Sequence, residues 1–289
     1  CLLSRGLGDV YKRQQLRYGN AVTNSNIAVG EILEVLSAKK TAMQPTYGQN
    51  DTITYLITLV NAGNTAFTDL TIKDDLGTYE FNTTTLTPLT YVADTIHYYI
   101  NGTLQPAPTI TAGPPLTITG ISIPANGNVT IVYEVTTNQF APLAPESSIN
   151  NTAVISGGGI TPITVNESVL ADSSPLLNIT KSVSPVPVAE NGQLTYTFLI
   201  QNSGSAPALA GSNAVITDTF DPVLSNISVT FNDTAWRETT NYTYDETTGL
   251  FATLAGEITV PAASYTQDPV TGAWLVNPGV STLVITGTI

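Results

Sequence analysis

The feature that most constrains the fold is an internal repeat. The stretch KTAMQPTYGQNDTITYLITLVNAGNTA, which begins at Lys40, aligns without gaps with KSVSPVPVAENGQLTYTFLIQNSGSAP, which begins at Lys181. Later segments match in the same order: TIKDDL with VITDTF, YYINGTLQ with VTFNDTAW, and IPANGNVTIVYEV with VNPGVSTLVITG. Self-similarity of this kind indicates tandem copies of one structural unit.

Each copy alternates apolar and polar residues with a period of two, which is typical of strands that are buried on one face. Apolar residues of one parity recur in both copies: Ile53, Tyr55, Ile57 and Leu59 in the first, and Leu194, Tyr196, Phe198 and Ile200 in the second. Turn sequences such as NAGNT, PANGN, NSGS and NPG separate these runs. The pattern predicts an all-β chain of tandem immunoglobulin-like β-sandwich repeats.

The repeat also predicts the domain order. We expect the closing strands of a preceding repeat at 15–36, a complete repeat at 37–172 and a second, C-terminally truncated repeat at 173–289. The alternative is a complete two-domain protein with ragged ends. A sandwich that lacks two strands exposes apolar faces and an unpaired edge, which weighs against that alternative.

The first fourteen residues, CLLSRGLGDVYKRQ, have a different character. They hold the only cysteine, Cys1, and three of the nine basic residues of the chain. The segment resembles translated sequencing-adaptor read-through, which occurs at the ends of unrelated metagenome-derived proteins. We therefore expect 1–14 to be non-native and exclude it from the fold argument. Without it the chain has no cysteine, so it must be stabilised without disulfides.

Charge and composition exclude several classes of function. The 289 residues include 22 acidic and nine basic side chains, a net charge of −13, which argues against nucleic acid as a partner. No apolar run reaches the roughly 18 residues that a membrane-spanning helix needs, so we expect no membrane span in this segment. His97 is the only histidine and has no cysteine nearby, so neither a zinc site nor a Ser–His–Asp triad can be assembled. We expect no enzyme activity, no cofactor and no metal site.

The second copy carries a recognisable series of motifs, LNITKSVSPVPVAENGQLTYTFLIQNSGSAPA, AVITDTF and NPGVSTLVITG. This series resembles the bacterial repeat family called "domain of unknown function eleven", and the first copy carries a looser version. The resemblance implies a large exported protein at the bacterial cell surface or cell wall. Its repeats would act as stalk or adhesive modules, with neighbouring repeats of the same chain as partners.

Three polar residues share the parity of apolar neighbours in the first copy: Lys40, Asp74 and Asn151. The second copy has Lys181 and Asp218 at the matching positions, and its asparagine would lie beyond the last residue of the sequence. An unpaired charge is very costly to bury. We therefore expect these side chains either to meet one another inside the core or to lie at strand ends and reach water.

One chemistry uses this trio of residue types. A neutral, desolvated lysine can attack an asparagine carboxamide and release ammonia, while a buried acid polarises the amide and shuttles protons. The arrangement resembles collagen-adhesin-type pilin and adhesin domains, which implies an intramolecular isopeptide bond between Lys40 and Asn151 with Asp74 as the acid. Asn150 would replace Asn151 if the strand were bulged. A buried Lys–Asp ion pair with the asparagine as a hydrogen-bonded bystander is the alternative.

A rival function is a carbohydrate- or host-ligand-binding adhesin module, whose partners would be host or cell-wall glycans or surface proteins. Its candidate residues are aromatic: Trp236, Tyr242 and Tyr244, with Tyr265 as a further member. Exposed rings that lie together can form a platform for a sugar. Cross-strand packing of the same rings is the alternative explanation.

Overall fold

The computed structural model describes residues 10–12, 15–25, 28–30 and 35–289. Among these residues the chain forms 28 β-strands, no α-helix and one 3₁₀ helix, Ala210–Ser212. Strands β1 to β14 are Val10–Lys12, Gln15–Tyr18, Ala21–Asn24, Ala28–Gly30, Leu36–Ala42, Thr46–Tyr47, Thr52–Asn61, Phe67–Asp74, Tyr79–Phe81, Thr84–Leu86, Leu89–Tyr91, His97–Ile100, Thr103–Leu104 and Thr109–Thr111. Strands β15 to β28 are Leu116–Ile123, Gly127–Thr137, Ser148–Gly157, Ile163–Ala171, Leu177–Ser184, Gln193–Asn202, Thr217–Thr219, Ser225–Phe231, Thr234–Ala235, Tyr242–Asp245, Leu250–Thr253, Ser264–Gln267, Trp274–Asn277 and Gly279–Thr288.

The first repeat encloses its core between two sheets. One sheet has the order β13-β12-β16-β7-β5, with β11 also paired to β16, and the other has the order β14-β15-β8-β17-β18-β6. Alternation decides which side chains face inward, since every second residue of β7 from Ile53 onward is buried. The two inner faces together bury one continuous apolar cluster, which runs from Leu36 to Ala171.

The second repeat has one full sheet and one short one. The full sheet has the order β19-β20-β28-β22-β23, and the short sheet has the order β21-β25-β24. A separate apolar cluster runs from Leu194 to Ile285. The predicted all-β class of immunoglobulin-like sandwich repeats is therefore confirmed.

An asparagine at the end of one core strand shows that the two copies fold alike. The side-chain amide of Asn61 donates to the carbonyls of Thr65 (2.8 Å) and Pro124 (2.9 Å). The amide of Asn202 donates in the same way to the carbonyls of Ala206 (2.8 Å) and Pro261 (3.0 Å). Buried amides need such partners, which explains why the Asn-x-Gly turn recurs at this point in both copies.

The same hydrogen bonds correct one part of the sequence alignment. Since Pro261 takes the place of Pro124, the counterpart of Ile123 is Val260 and not Val276. Gly127 pairs with Asn61, and Gly279 pairs with Asn202. The second repeat therefore inserts the hairpin β26–β27 between these two points, where the first repeat has a short turn.

The inserted hairpin packs against the first repeat. The backbone N–H of Trp274 donates to the carbonyl of Gln139 (2.8 Å), and Gln267 Nε2 donates to Tyr79 Oη (3.2 Å). Tyr265, Trp274 and Val276 pack against the first apolar cluster. The alignment matched Val276 with the core residue Ile123 because the sequence shows only that Val276 is apolar. It does not show which repeat the side chain packs against.

The segment before the first repeat forms short strand pairs, β2 with β3 and β1 with β4. Most of 1–14 lies outside the described residues, as do 26–27 and 31–34 within the predicted segment 15–36. Leu36 is the first residue of β5 and belongs to the first core. The other domain boundaries remain predictions. Across the described ranges, no helix is long and apolar enough to cross a membrane.

Candidate crosslinking site in the first repeat

A lysine and an aspartate meet in the interior of the first sandwich. Lys40 lies on β5 in one sheet and Asp74 lies at the end of β8 in the other. Inward parity on both strands points the two side chains at each other across the core. Lys40 Nζ lies 2.6 Å from Asp74 Oδ2, and both side chains are 0% exposed.

Asp74 is held by two further donors. Its Oδ1 accepts the backbone N–H of Leu76 at 2.9 Å, and its Oδ2 accepts the hydroxyl of Tyr133. Tyr133 lies on β16 directly opposite Tyr55 on β7, with the ring centroids 5.8 Å apart. Lys40 Nζ lies 4.8 Å from the centroid of the Tyr55 ring. The lysine is therefore bounded by one carboxylate and one aromatic face.

Burial sets the proton affinities at this site. It lowers the pKa of Lys40 from its ordinary value of 10.5, although the charge of Asp74 and its hydrogen bond act in the opposite direction. Burial also raises the pKa of Tyr55 and, with the carboxylate of Asp74 beside it, raises that of Tyr133 well above 10.0. Both tyrosines stay neutral, and the environment favours an uncharged amine at Lys40.

Asn151 is the third inward polar residue, and its amide is unpartnered. It lies on β17, whose Ala153 pairs with Asp74 in the same sheet. Asn151 is fully buried, and neither its Oδ1 nor its Nδ2 has a hydrogen-bond partner. The amide lies near the hydroxyls of Tyr55 and Tyr133 but forms a hydrogen bond of good geometry with neither. Its proximity acts to lower the pKa of both tyrosines, and the larger effect of burial outweighs it.

The register of β17 distinguishes Asn151 from its neighbour. Strand β17 pairs with β18 without interruption from Ser148 to Ile155, so no bulge intervenes. Asn150 is exposed, and its Oδ1 accepts the amide of Asn166 at 3.2 Å. Strand β18 in turn contacts β5, which carries Lys40. The structure therefore presents Asn151, and not Asn150, to the interior of the sandwich.

Sequence reasoning did not identify the two tyrosines of the site. Tyr55 and Tyr133 both occupy inward positions in otherwise aliphatic alternation. A tyrosine at such a position brings a hydroxyl that needs a partner, and this was the available signal. Tyr133 finds Asp74, whereas the hydroxyl of Tyr55 is buried without a partner.

The second repeat builds a similar pair in a different environment. Lys181 and Asp218 form an ion pair, and Lys181 Nζ lies 4.6 Å from the ring centroid of Tyr196. However, the two side chains are 39% and 19% exposed. The two side chains therefore meet but remain partly in water, because no strand among the described residues covers β19 as β18 covers β5.

The aromatic residues proposed for a sugar platform are engaged in packing. Trp236 stacks on Phe231, with centroids 4.8 Å apart, and Tyr242 is buried against Phe251. The hydroxyl of Tyr244 donates to the carbonyl of Leu224 at 2.8 Å. Tyr265 lies on the inserted hairpin. Three of these rings pack within the second repeat and the fourth belongs to the contact between repeats, so the geometry favours the packing explanation.

Other site types have little support. His97 is exposed on β12. Among the described residues, no group of three or more His, Cys, Asp or Glu side chains is arranged to hold a metal ion. The Lys40–Asp74–Asn151 cluster is therefore the candidate site that the structure builds most completely.

Comparison with known proteins gives distant structural similarities only. No family model and no curated protein matches the chain. The pilus backbone of Streptococcus pneumoniae is similar with a TM-score of 0.35 and 12% identity, over 84% of this chain and 55% of that chain. The major pilin subunit of Bacillus cereus gives a TM-score of 0.38 and 10% identity, over 94% of this chain and 73% of that chain. The collagen-binding domain of a Staphylococcus aureus adhesin gives 0.31 and 15%, over 48% of this chain and 99% of that chain.

This chain thus spans just over half the length of the pilus-backbone structure that it matches.

Proposed function

We propose that this chain is a segment of the stalk of a large exported bacterial cell-surface protein, and that an isopeptide bond between Lys40 and Asn151 clamps its first repeat. One observation carries the proposal: a buried Lys–Asp pair shares an apolar core with a buried asparagine whose amide has no partner. The resemblance of the repeat motifs to "domain of unknown function eleven" supports the exported location.

The proposed reaction needs no group from outside the chain. A proton passes from Lys40 Nζ to Asp74 Oδ2 over 2.6 Å, which leaves a neutral amine and a neutral acid. Burial favours the loss of a proton from Lys40 because it lowers the pKa of the amine. The amine attacks Cγ of Asn151, a new Nζ–Cγ amide bond forms, and the Cγ–Nδ2 bond breaks. The attacking amine loses one proton, which leaves with Nδ2 as ammonia, and Asp74 keeps the proton that it took from Lys40.

The unpartnered amide supports the crosslink over the bystander interpretation. A buried polar atom without a hydrogen bond costs about 1–3 kcal/mol, and a bystander asparagine would be expected to find partners. In the crosslinked form Nδ2 has left the protein. The remaining carbonyl oxygen can then accept a hydrogen bond from the protonated Asp74. Asp74 would therefore act as the acid in the reaction and afterwards as a hydrogen-bond donor to the isopeptide carbonyl.

The position of the bond suits a stalk that bears tension. It would join β5, which opens the repeat, to β17, which lies near its end. Force that enters at β5 would then pass to β17 through a covalent bond and would bypass the strands between them. Residues 15–289 contain no cysteine, so a disulfide cannot supply this link.

The test is the intact mass of the full chain. We expect it to be one ammonia lighter than the sequence requires, with Lys40 and Asn151 found in one branched peptide after digestion. Lys40→Arg, Asn151→Ala and Asp74→Asn should each have the full mass of their own sequences. Lys181→Arg is the matched control and should remain one ammonia light. A wild-type chain of full sequence mass would refute the crosslink.

A further inference from the structure

The hydroxyl of Tyr133 lies next to both the acid of the site and the amide that the lysine would attack. It donates to Asp74 Oδ2, the same oxygen that accepts Lys40 Nζ. The amide of Asn151 acts to lower the pKa of Tyr133, which is the effect of an N–H donor close to the phenol oxygen. Only Nδ2 of an asparagine side chain carries such hydrogens, so Nδ2 is the amide atom that faces Tyr133.

The carboxylate of Asp74 does not itself contact that nitrogen. In the described part of the chain its oxygens accept hydrogen bonds from Lys40, from Tyr133 and from one backbone N–H, and Asn151 Nδ2 has no partner. The strand register explains the offset, since Ala153 pairs with Asp74 and Asn151 is therefore the diagonal neighbour on β17. Tyr133 projects from β16 in the opposite sheet and spans this offset from across the core.

The second repeat shows that a Lys–Asp pair forms without this hydroxyl. Tyr133 on β16 is matched by Ile285 on β28, because each pairs with the tyrosine at the same place in the neighbouring core strand. Lys181 and Asp218 nevertheless form an ion pair there. The Tyr133 hydroxyl is therefore not needed to hold such a pair together, and its place beside Asn151 calls for another role.

The crosslinking reaction needs a proton at the leaving nitrogen. An amide nitrogen leaves as ammonia only after it gains a proton, and the attacking Nζ must lose one. A phenol can carry that proton across, because its oxygen accepts one hydrogen while its own is donated. Burial and the carboxylate of Asp74 raise the pKa of Tyr133 well above 10.0, so the hydroxyl stays protonated and able to donate.

We propose that Tyr133 relays a proton from Asp74 to Nδ2 of Asn151 as the isopeptide bond forms, an inference that rests on the proposed crosslink. Once Nζ has attacked Cγ, the attacking nitrogen gives a proton to Asp74 and Asp74 gives one to Tyr133 Oη. The hydroxyl proton of Tyr133 passes to Nδ2, the Cγ–Nδ2 bond breaks and ammonia leaves. Asp74 and Tyr133 each hold as many protons after this step as before it, so the relay consumes no other group.

The test measures the rate of ammonia loss in the full chain. The chain is isolated unfolded in urea at its full sequence mass and diluted to start folding. Samples are quenched in acid at intervals, and the intact mass gives the crosslinked fraction. Tyr133→Phe keeps the ring and removes only the hydroxyl. We expect it to slow ammonia loss about a hundredfold, a contribution typical of general acid–base catalysis.

Tyr98→Phe is the matched control. Tyr98 is a buried tyrosine of the same sheet, and its hydroxyl donates to the carbonyl of Ser122 at 2.7 Å. The variant therefore also loses one buried hydroxyl with its hydrogen bond, but at a distance from the acid and the amide. We expect it to lose ammonia at the wild-type rate.

A second measurement separates a relay from a purely structural role. Rates are measured in mixtures of H₂O and D₂O, and each chain is unfolded in the same mixture beforehand so that its hydroxyl and carboxyl groups carry deuterium. A relay moves several protons in one step. The plot of rate against deuterium fraction should therefore be curved for the wild type and straight for Tyr133→Phe. A hydroxyl that only supports the fold would leave the shape of the plot unchanged.

The outcomes distinguish the relay from the crosslink itself. A wild-type chain that keeps its full mass would overturn the crosslink and the relay with it. If the wild type loses ammonia and Tyr133→Phe loses it at the same rate, or gives a plot of the same shape, the relay alone is overturned. Equal slowing by Tyr98→Phe would overturn the relay as well.

Discussion

Replacing Asn151 with leucine distinguishes an isopeptide bond between Lys40 and Asn151 from a Lys40–Asp74 ion pair with Asn151 as a bystander. The two interpretations predict opposite signs for the change in the free energy of unfolding. Leucine is similar in size to asparagine, but Lys40 cannot attack it. If no bond forms in the wild type, the substitution removes two buried polar atoms that have no partners. The free energy of unfolding of the first repeat would then rise by about 1–3 kcal/mol.

If the bond forms, the same substitution opens a covalent ring. The ring closed by Lys40 and Asn151 contains about 110 residues, for which the chain-entropy treatment of crosslinks gives about 5 kcal/mol of stabilisation. The crosslinked wild type has no unpartnered amide to lose, so nothing offsets this loss. We therefore expect a decrease of about 5 kcal/mol in the free energy of unfolding.

Hydrogen exchange followed by mass spectrometry in increasing denaturant can read each repeat separately. The amides of β7 and β16 report on the first repeat, and those of β20 and β28 report on the second and should not change. Asn150→Leu is the matched control, because Asn150 is exposed on the same strand. It should shift stability by no more than about 0.5 kcal/mol. A first repeat that is as stable as the wild type or more stable in Asn151→Leu would refute the crosslink.

Two further predictions concern the titration of Lys40 and the hairpin between the repeats. In the Asn151→Leu background Lys40 stays an amine with a pKa lowered by burial, so the unfolded chain binds its proton more tightly. The free energy of unfolding of the first repeat should then rise as pH increases from the lowered pKa toward 10.5. Adding Lys40→Met should remove that rise when the two variants are denatured in parallel over this pH range. Equal slopes of the free energy of unfolding against pH in the two variants would contradict the prediction. Gly272 and Gly159 both have positive φ, +74° and +77°, but only a side chain at Gly272 would collide with Phe81 and Leu86 of the first repeat. Gly272→Ala should therefore speed hydrogen exchange in β26–β27, and Gly159→Ala should not. Equal effects of the two variants would show that the contact of Gly272 with Phe81 and Leu86 does not hold the hairpin in place.

The sequence by itself determined which side chains point inward. Strand alternation is a local property of the extended backbone, so the parity of Lys40, Asp74 and Asn151 could be read without knowledge of the fold. The structure places all three in the interior of the first repeat, with Lys40 and Asp74 in contact. The equivalence of Asn61 and Asn202 could also be read in this way, because the turn chemistry that requires the amide lies within a few residues of it.

Tertiary structure alone decided what surrounds those side chains. Tyr133 meets Asp74 only because β16 and β8 face each other across the sandwich, and no local pattern encodes that distance. Lys181 has the same parity as Lys40 and yet is exposed, because burial depends on which strands cover a face and not on the strand that bears the residue. The hairpin β26–β27 misled the alignment for a related reason. Its apolar residues alternate like those of a core strand, but the core against which they pack belongs to the other repeat.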